Sequence, residues 1–359
     1  MTDLDRLIAE LFADAPPGGS DNPHVAPVEG QSVSEWLAET AERRSSADEG
    51  AIAHRHRIDD ANERLFGMLA HARLPRIEVE LSHYSTSVPL SAGSLRDLIP
   101  ALPESAPVHV LPVDGVPAVT SVQVRVTAPP DPGAVIVRFH GGAFWMGGGR
   151  VLGEIDRTLL DQVAATANAM VLDVDYRLAP EHPYPDAAID ALSVLDAVRA
   201  GLFGGITGPI GLMGTSSGGN QMAMVARIES LRGREVSALG LVVPSLNLAS
   251  GPQSADADPE AWQVRRDLLR CYLGDIDPAD PWISPGVLER LDGMPPTFVA
   301  VAEFDEVAAG GAEFCAAIRA AGQDAEARSY PMTHVVATPD VEAAYTRDLA
   351  EFFRTHLAG

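Results

Sequence analysis

The stretch that decides the fold is residues 210–219, which read IGLMGTSSGG. The apolar run at 210–213 predicts a buried strand, and the pattern of 218–231 predicts a helix directly after it. Between them a G-x-S-x-G pattern is centred on Ser216, and its small residues allow a sharp turn from strand to helix. That turn would hold the serine hydroxyl above the sheet at a helix N-terminus, where developing negative charge is favoured. We predict a nucleophilic serine here; the alternative is an ordinary loop rich in glycine and serine.

From about residue 106 onward, short apolar runs alternate with helical stretches. This alternation is typical of an α/β fold, with a mostly parallel central sheet and helices on both faces. The predicted strands are residues 108–111, 122–127, 134–139, 170–175, 210–213, 239–243, 297–302 and 325–330. The predicted helices are residues 152–168, 186–199, 218–231, 307–321 and 341–356. The acidic stretch 245–284 interrupts the alternation after the sixth strand and is predicted to carry a helix around 260–272.

Residues 1–105 have a different pattern. An acidic amphipathic helix is predicted at 1–13, a linker rich in Pro, Gly, Ser and Asn at 14–32, and one or two amphipathic helices at 34–72. The sequence therefore divides into a helical segment with a linker, residues 1–105, and an α/β domain, residues 106–359.

A second group of small residues follows the predicted strand 134–139, where residues 140–144 read HGGAF. Attack on a carbonyl carbon makes an oxyanion, which needs backbone N–H donors already directed at it. Glycine lets the backbone approach the substrate without a side chain in the way, whereas His140 is interpreted as a structural residue of the loop. The alternative, a phosphate-binding glycine loop that would use residues 147–149, lacks the G-x-G-x-x-G pattern and the downstream acid. The predicted donors are the amides of Gly141, Gly142, Ala143 and Ser217.

A serine nucleophile also requires a base and an acid, which follow the serine along the chain in folds with this turn. His356 lies in the last predicted helix, whereas His334 follows the last predicted strand in a loop, so we predict that His334 is the base. Asp305 follows the predicted strand 297–302 and is the predicted acid. The alternative acids are Glu306 and, more distantly, Glu303. The structural alternatives are a helix cap for the aspartate and a surface loop for the histidine.

Three motifs together resemble the hormone-sensitive-lipase-like family of α/β-hydrolase esterases: HGGA at 140–143, DYRLAPEHPYP at 175–185 and GTSSGG at 214–219. The threonine at position 215 is similar to the branch of the family that carries G-T-S-A-G. The resemblance implies an α/β-hydrolase fold over roughly residues 106–359. It also implies that the DYRLAPEHPYP run is structural, so that His182 is part of the scaffold and not a base.

The same resemblance implies a helical cap, formed by residues 1–105 together with an insertion at about 245–284. Two positions depart from the family pattern. Relatives carry D-P-L-x-D-E-G around the acid, where residues 305–311 read DEVAAGG here. Relatives carry H-G-F at the base, where residues 334–336 read HVV here.

The charge balance excludes several functions. The formal net charge is −24, and all 26 residues counted as Lys or Arg are arginine. Strong negative charge repels nucleic acid and anionic membrane surfaces, so neither is an expected partner. The absence of lysine excludes a Schiff base and a P-loop lysine.

The two cysteines, Cys271 and Cys315, are too few for a disulfide framework and lack metal-ligand spacing. No metal or cofactor is therefore predicted. A cytoplasmic location is expected.

Carboxylic ester hydrolysis is the predicted function, with an acyl-enzyme on Ser216 that water resolves. Amide, carbamate or lactone hydrolysis, a family-derived lyase or dehydratase, and a non-catalytic small-molecule binder are left open. Phe144 and Trp145, next to the predicted oxyanion donors, are expected to line the substrate pocket. The cap, this aromatic pair and the acidic surface together predict small, soluble, uncharged or cationic esters. The expected partner is such a small molecule, and a homodimer is left open.

Overall fold

The structure is a computed structural model that describes residues 27–66, 74–99, 102, 106–107, 113–250, 259–305 and 307–358. The helix predicted at 1–13, the strand predicted at 108–111 and Glu306 lie outside the described residues. Within them, strands and helices alternate around one sheet, as the sequence predicts.

One eight-stranded sheet forms the centre of the molecule. Its strands are β1 (Ser82–Pro89), β2 (Ser121–Ala128), β3 (Ala134–Phe139), β4 (Ala169–Asp175), β5 (Ile210–Thr215), β6 (Ala238–Val242), β7 (Thr297–Ala302) and β8 (Ala325–Tyr330). The strand order is β1-β2-β4-β3-β5-β6-β7-β8. β2 runs antiparallel to both β1 and β4, and every other neighbouring pair is parallel. The predicted mostly parallel sheet is confirmed.

Helices cover both faces of the sheet. They are α1 (Val33–Phe66), α2 (Leu95–Leu98), α3 (Arg157–Ala167), α4 (Asp186–Arg199), α5 (Ser217–Leu231), α6 (Pro259–Leu273), α7 (Ala308–Ala320) and α8 (Pro339–His356), with 3-10 turns at Gly149–Val151 and Pro285–Val287. α3 and α8 share one apolar cluster with the sheet, and α4, α5 and α7 belong to another. Every residue of β3, β6 and β7 is buried, because parallel strands covered on both faces have no solvent-facing side.

The close approach of α8 to the sheet depends on Gly240 in β6. A Cβ at this position would lie 2.6 Å from Leu349 Cδ1 and 2.7 Å from the Phe353 ring. Such distances are far below van der Waals contact, so only glycine lets these two core side chains of α8 lie against the strand.

The sheet begins earlier in the chain than the sequence predicts. β1 lies within residues 1–105, which the sequence assigns to a helical segment and linker, and it pairs with β2 along its whole length. The sheet therefore extends across the predicted boundary near residue 105. β1 is an edge strand whose only buried residue is Val88, so it lacks the apolar run or alternation by which a strand is recognised.

Residues 245–284 lie between β6 and β7 and contain α6, close to the helix predicted at 260–272. The predicted helix 152–168 begins later, at Arg157, because a 3-10 turn and further turns occupy the residues before it. Within the described ranges, no helix is long and apolar enough to cross a membrane.

Candidate active site

Ser216 lies at the turn between β5 and α5, in the strand–turn–helix setting that its motif predicts. Its backbone has φ 53° and ψ −117°, a conformation that residues with a side chain rarely adopt. A Cβ on Gly214 would lie 2.5 Å from the carbonyl oxygen of Gly218, and a Cβ on Gly218 would lie 2.3 Å from that of His140. The turn therefore requires glycine at both positions, which is the physical origin of the G-x-S-x-G pattern.

Ser216, His334 and Asp305 form a hydrogen-bonded row. The Nε2 atom of His334 lies 2.8 Å from Ser216 Oγ, and its Nδ1 atom lies 2.6 Å from Asp305 Oδ2. Because a carboxylate can only accept, Nδ1 carries the proton and Nε2 is left to accept from the serine hydroxyl. The Asp305 side chain is 7% exposed and the His334 side chain 32%. The structure thus brings the three side chains together in the order that proton transfer from the serine requires.

Main-chain contacts between the loops after β7 and β8 bring the acid to the base. The amide of Phe304 donates to the carbonyl of Met332 at 3.1 Å. Asp305 Oδ1 accepts from the amide of Val307 at 3.1 Å, which leaves Oδ2 for the histidine. Glu303, an alternative acid, is exposed and is not the partner of the histidine.

Residues 140–144 follow β3 at the same edge of the sheet and form a tight turn beside the serine, called here the oxyanion turn. A Cβ on Gly141 would lie 3.3 Å from Ser216 Cβ. Gly142, Ala143 and Phe144 have φ values of 127°, 50° and 71°. Among the described residues, no acceptor is bonded to the predicted oxyanion donors, the amides of Gly141, Gly142, Ala143 and Ser217. These donors are therefore available to a bound molecule.

His140 is a buried residue that fixes the start of the oxyanion turn. Burial, reinforced by the charge of Arg138, lowers the pKa of His140 to about 3, so its ring is neutral. Its Nδ1 donates to the Gly141 carbonyl at 2.7 Å. The ring stacks on Tyr176 with centroids 4.2 Å apart, and the Tyr176 hydroxyl donates to the His140 carbonyl at 2.9 Å. This agrees with the structural role predicted for His140.

Comparison with known proteins agrees with this geometry. A family model described as alpha/beta hydrolase fold matches residues 136–338, a range that contains the whole hydrogen-bonded row. The chain belongs to this family. Its relatives include the carboxylic ester hydrolase LipN of Mycobacterium tuberculosis, 28% identical over 360 residues that cover 92% of this chain and 91% of LipN. The carboxylesterase NlhH of the same species is 34% identical over 239 residues, covering 61% of this chain and 72% of NlhH.

Solved structures share the fold of this α/β-hydrolase. An esterase from Pyrobaculum calidifontis has a TM-score of 0.61 at 24% identity, covering 86% of this chain and 94% of that one. The carboxylesterase EstE1, cloned from a metagenomic library, has a TM-score of 0.63 at 23% identity, covering 86% of this chain and 98% of its own. The family model and the named relatives confirm the resemblance to hormone-sensitive-lipase-like esterases.

The DYRLAPEHPYP run of this α/β-hydrolase is held by ion pairs. Arg177 contacts both oxygens of the buried Asp190, through its backbone amide and its Nε, each at 2.8 Å. Arg177 Nη1 also lies 2.9 Å from Asp186, whose carboxylate lies 3.1 Å from His182 Nδ1. These contacts serve the scaffold, in agreement with the role that the resemblance implies for His182.

Phe144 and Trp145 are buried beside the oxyanion turn, with 4% and 2% of their surfaces exposed. The Phe144 ring stacks on Tyr272 of α6, with centroids 4.0 Å apart and planes inclined by 9°. The Tyr272 carbonyl accepts from the amide of Tyr184 at 2.8 Å. Helix α6 therefore packs on the oxyanion turn, and substrate contact by the two aromatic residues stays a prediction.

Asn220, one turn into α5, holds both ends of the 245–284 segment. Its Nδ2 donates to the carbonyl of Ser245 at 2.9 Å and to that of Ile283 at 2.8 Å. The Ser245 amide in turn donates to the carbonyl of Ser216 at 3.2 Å. Sequence reasoning missed Asn220, for which the available signal was a polar residue directly after the glycines of the motif. The segment therefore begins and ends against the turn that carries the serine.

Metal and thiol chemistry receive no support from the described part of the chain. No group of three His, Cys, Asp or Glu side chains suited to a metal ion occurs there. Cys271 and Cys315 are both buried, and burial raises the pKa of each thiol to about 12. Both thiols therefore stay protonated at neutral pH.

Proposed function

We propose that this α/β-hydrolase cleaves carboxylic esters of small, soluble substrates through an acyl-enzyme on Ser216. The observation that carries the proposal is the hydrogen-bonded row of Ser216, His334 and Asp305 beside backbone amides that have no acceptor among the described residues. The names of the relatives, a carboxylic ester hydrolase and a carboxylesterase, support esters as the substrate class.

In the first half of the reaction, Ser216 Oγ attacks the carbonyl carbon of the ester and its proton passes to His334 Nε2. The carbonyl oxygen becomes an oxyanion, for which the oxyanion turn and the Ser217 amide supply donors. The Asp305 carboxylate stabilises the imidazolium through Nδ1. When the bond to the leaving oxygen breaks, His334 gives the proton to the alcohol, and the acyl group stays on the serine.

In the second half, water takes the place of the alcohol. His334 Nε2 accepts a proton from the water, whose oxygen attacks the acyl carbon and forms a second oxyanion at the same donors. Collapse of this intermediate breaks the bond to Ser216 Oγ, and the histidine returns the proton to the serine. The products are one carboxylic acid and one alcohol, and the enzyme is restored.

Small and uncharged or cationic substrates suit the surroundings of the serine. Helix α6 packs on the oxyanion turn through the stack of Tyr272 on Phe144, so the turn is covered on that side. Phe304 and Val335, the neighbours of the acid and the base, are 62% and 50% exposed and present apolar surface there. The net charge of −24 disfavours anionic substrates and lipid surfaces.

Labelling with a fluorophosphonate, followed by mass spectrometry, tests the proposal directly. We expect one label, on Ser216, together with turnover of p-nitrophenyl acetate. A folded protein that does not label, or that labels elsewhere, contradicts an activated serine and favours a non-catalytic binder. Labelling on Ser216 without turnover of any simple ester would indicate an activated serine whose substrate is a specialised ester, an amide or a lactone.

A further inference from the structure

The oxyanion turn has a disfavoured backbone that other elements must hold in place. Its residues Gly142, Ala143 and Phe144 all have positive φ, at 127°, 50° and 71°. Positive φ is unfavourable for residues with a side chain, here Ala143 and Phe144. A conformation of this kind persists only where its surroundings fix it. The surroundings hold the chain through three main-chain groups at the end of the turn and just after it. These groups are the carbonyls of residues 144 and 145 and the amide of residue 147.

The two carbonyls accept hydrogen bonds from different parts of the molecule. The Phe144 carbonyl accepts from the amide of Ala179 at 3.0 Å, a contact inside the α/β domain. The Trp145 carbonyl accepts from Arg44 Nε of helix α1 at 2.5 Å. Arg44 Nη2 also donates to the carbonyl of Ala179 at 2.9 Å and pairs with Glu181. One guanidinium of α1 therefore joins the oxyanion turn to the DYRLAPEHPYP run.

Asp48 lies one helical turn after Arg44 and hence on the same face of α1. Its Oδ1 accepts from the amide of Gly147 at 3.2 Å. Gly147 is packed against the beginning of the turn, since a Cβ on it would lie 2.4 Å from the carbonyl oxygen of Gly141. The position of Gly147 therefore restricts that of Gly141, which is a predicted oxyanion donor.

We infer that Arg44 and Asp48 are positioning residues that hold the oxyanion turn in its catalytic geometry from helix α1. The inference rests on the proposed function, because it adds two residues to the same site. Neither side chain touches the reacting atoms, and each acts through one main-chain group, the Trp145 carbonyl or the Gly147 amide. Helix α1 is then part of the catalytic apparatus.

The burial of Asp48 supports a role beyond docking of the helix. Burial raises the pKa of Asp48 to about 6, against the opposing effects of the Gly147 amide, Arg150 and Arg44. A neutral side chain would be more favourable for docking alone. By contrast, Glu49 and Arg150 join α1 to the domain at the surface, 3.0 Å apart with side chains 64% and 57% exposed, and surface pairs of this kind contribute little. Glu49 therefore provides a matched control on the same helix.

The test measures kcat per active serine in Asp48→Ala and Arg44→Met, with active serines counted by fluorophosphonate titration. We expect kcat for p-nitrophenyl acetate to fall about ten-fold or more in each variant, with KM within about two-fold, because the donors act mainly on the transition state. Inhibition by an aryl trifluoromethyl ketone, which forms an oxyanion on the serine, should weaken by a similar factor. Asp48→Asn keeps an acceptor for the Gly147 amide and should restore most of the activity.

Glu49→Ala should retain wild-type kcat, since it removes a contact of α1 without touching the oxyanion turn. If Arg44→Met does not fold, Arg44→Lys tests the same contact. A single ammonium nitrogen then replaces the two guanidinium nitrogens that bond the Trp145 and Ala179 carbonyls, so we expect an intermediate loss. Values of kcat per labelled serine within about two-fold of wild type in the Asp48 and Arg44 variants overturn the inference. An equal loss in Glu49→Ala also overturns it, since docking alone would then explain the effect. Wild-type protein that neither labels nor turns over ester refutes the proposed function first, and the inference with it.

Discussion

At the scale of single residues, Ser216 shows how the proposed chemistry and the backbone constrain each other. Its φ of 53° costs on the order of 1–3 kcal/mol for a residue with a side chain. Two flanking glycines make the turn sterically accessible, and the amide of Ser216 is held by the carbonyl of Val242 at 2.9 Å. This backbone strain therefore lies at the residue whose hydroxyl contacts His334.

Replacing Ser216 with alanine is expected to lower kcat for p-nitrophenyl acetate by about 10⁴-fold or more, because the nucleophile and base act as one unit. The fold should survive, which far-UV circular dichroism checks. Ser216→Gly should be equally inactive but should melt at a higher temperature than Ser216→Ala, since glycine adopts this φ without strain. Near-wild-type turnover by folded Ser216→Ala would refute the proposed mechanism.

Substitution of the base and the acid should have unequal effects. His334→Ala should lose about as much kcat as Ser216→Ala, whereas Asp305→Asn should lose somewhat less, because it disturbs the tautomer without removing the base. Steady-state kinetics on p-nitrophenyl acetate measures both. Glu303→Gln is the control and should stay near wild type, because Glu303 is exposed and does not contact the histidine. If Glu306→Gln is inactive and Asp305→Asn is not, the acid lies one residue further along the chain.

Asp48→Asn should stabilise the protein at neutral pH and not in acid. Burial raises the pKa of Asp48 from 3.8 to about 6, so between these values the folded state binds a proton that the unfolded state has lost. The contribution of this carboxyl to stability is therefore fully present below 3.8 and is lost as pH rises through about 6. Asparagine does not titrate, so its advantage should appear above that range. Urea unfolding at about pH 5 and about pH 7.5 measures the difference, and an advantage that shrinks toward pH 7.5 would contradict the assignment.

At the scale of elements, α5 and the 245–284 segment depend on one side chain. Asn220→Ala should lower the free energy of unfolding by about 1–3 kcal/mol, because it leaves two buried carbonyls without their donor. Since the segment begins beside the serine, kcat should fall as well. Leu231→Ala is the control on the same helix, because Leu231 is 50% exposed and its truncation removes little burial. Urea denaturation that shows equal loss in the two variants would contradict the role given to Asn220.

At the scale of the whole molecule, the net charge of −24 should act on substrate capture. An ester that carries a quaternary ammonium group should show a kcat/KM that falls as salt rises from about 20 mM to about 500 mM, because salt screens the attraction. A neutral ester of the same size should show little salt dependence and serves as the control. Equal salt dependence for both esters would contradict steering by the charge of the protein.

The length of the acyl chain tests the covered site as a whole. Rates on p-nitrophenyl esters should be highest for short acyl chains and should fall toward palmitate, because α6 lies on the oxyanion turn and limits the space beside it. Emulsified triglyceride should be a poor substrate. Preference for palmitate, or activation by an oil–water interface, would show that the cover opens far more than the packing of α6 suggests.

The sequence by itself determined the fold class and pointed to Ser216, Asp305 and His334 as the candidate row, with Glu306 and Glu303 left open as acids. The fold class and the serine follow from short-range rules: a strained turn requires glycines at set positions, and buried parallel strands are continuous apolar runs. The base and the acid follow from their order along the chain after the serine. The carboxyl ends of parallel strands meet at one edge of a sheet, so residues after β5, β7 and β8 could be expected to meet. The loops around the acid and base differ from the family pattern, and the structure nonetheless brings their side chains within hydrogen-bonding distance.

Only the tertiary structure decided what surrounds that row. β1 escaped prediction because an edge strand with one buried side chain has no apolar pattern. Arg44 and Asp48 lie 101 and 99 positions before the residues they contact, and on a polar helix they look like any other surface charges. Their contacts arise from the docking of α1 on the domain, which depends on the shape and polar groups of both partners at once. Spacing along a chain carries no information about such a match, so it becomes visible only when the whole chain is folded.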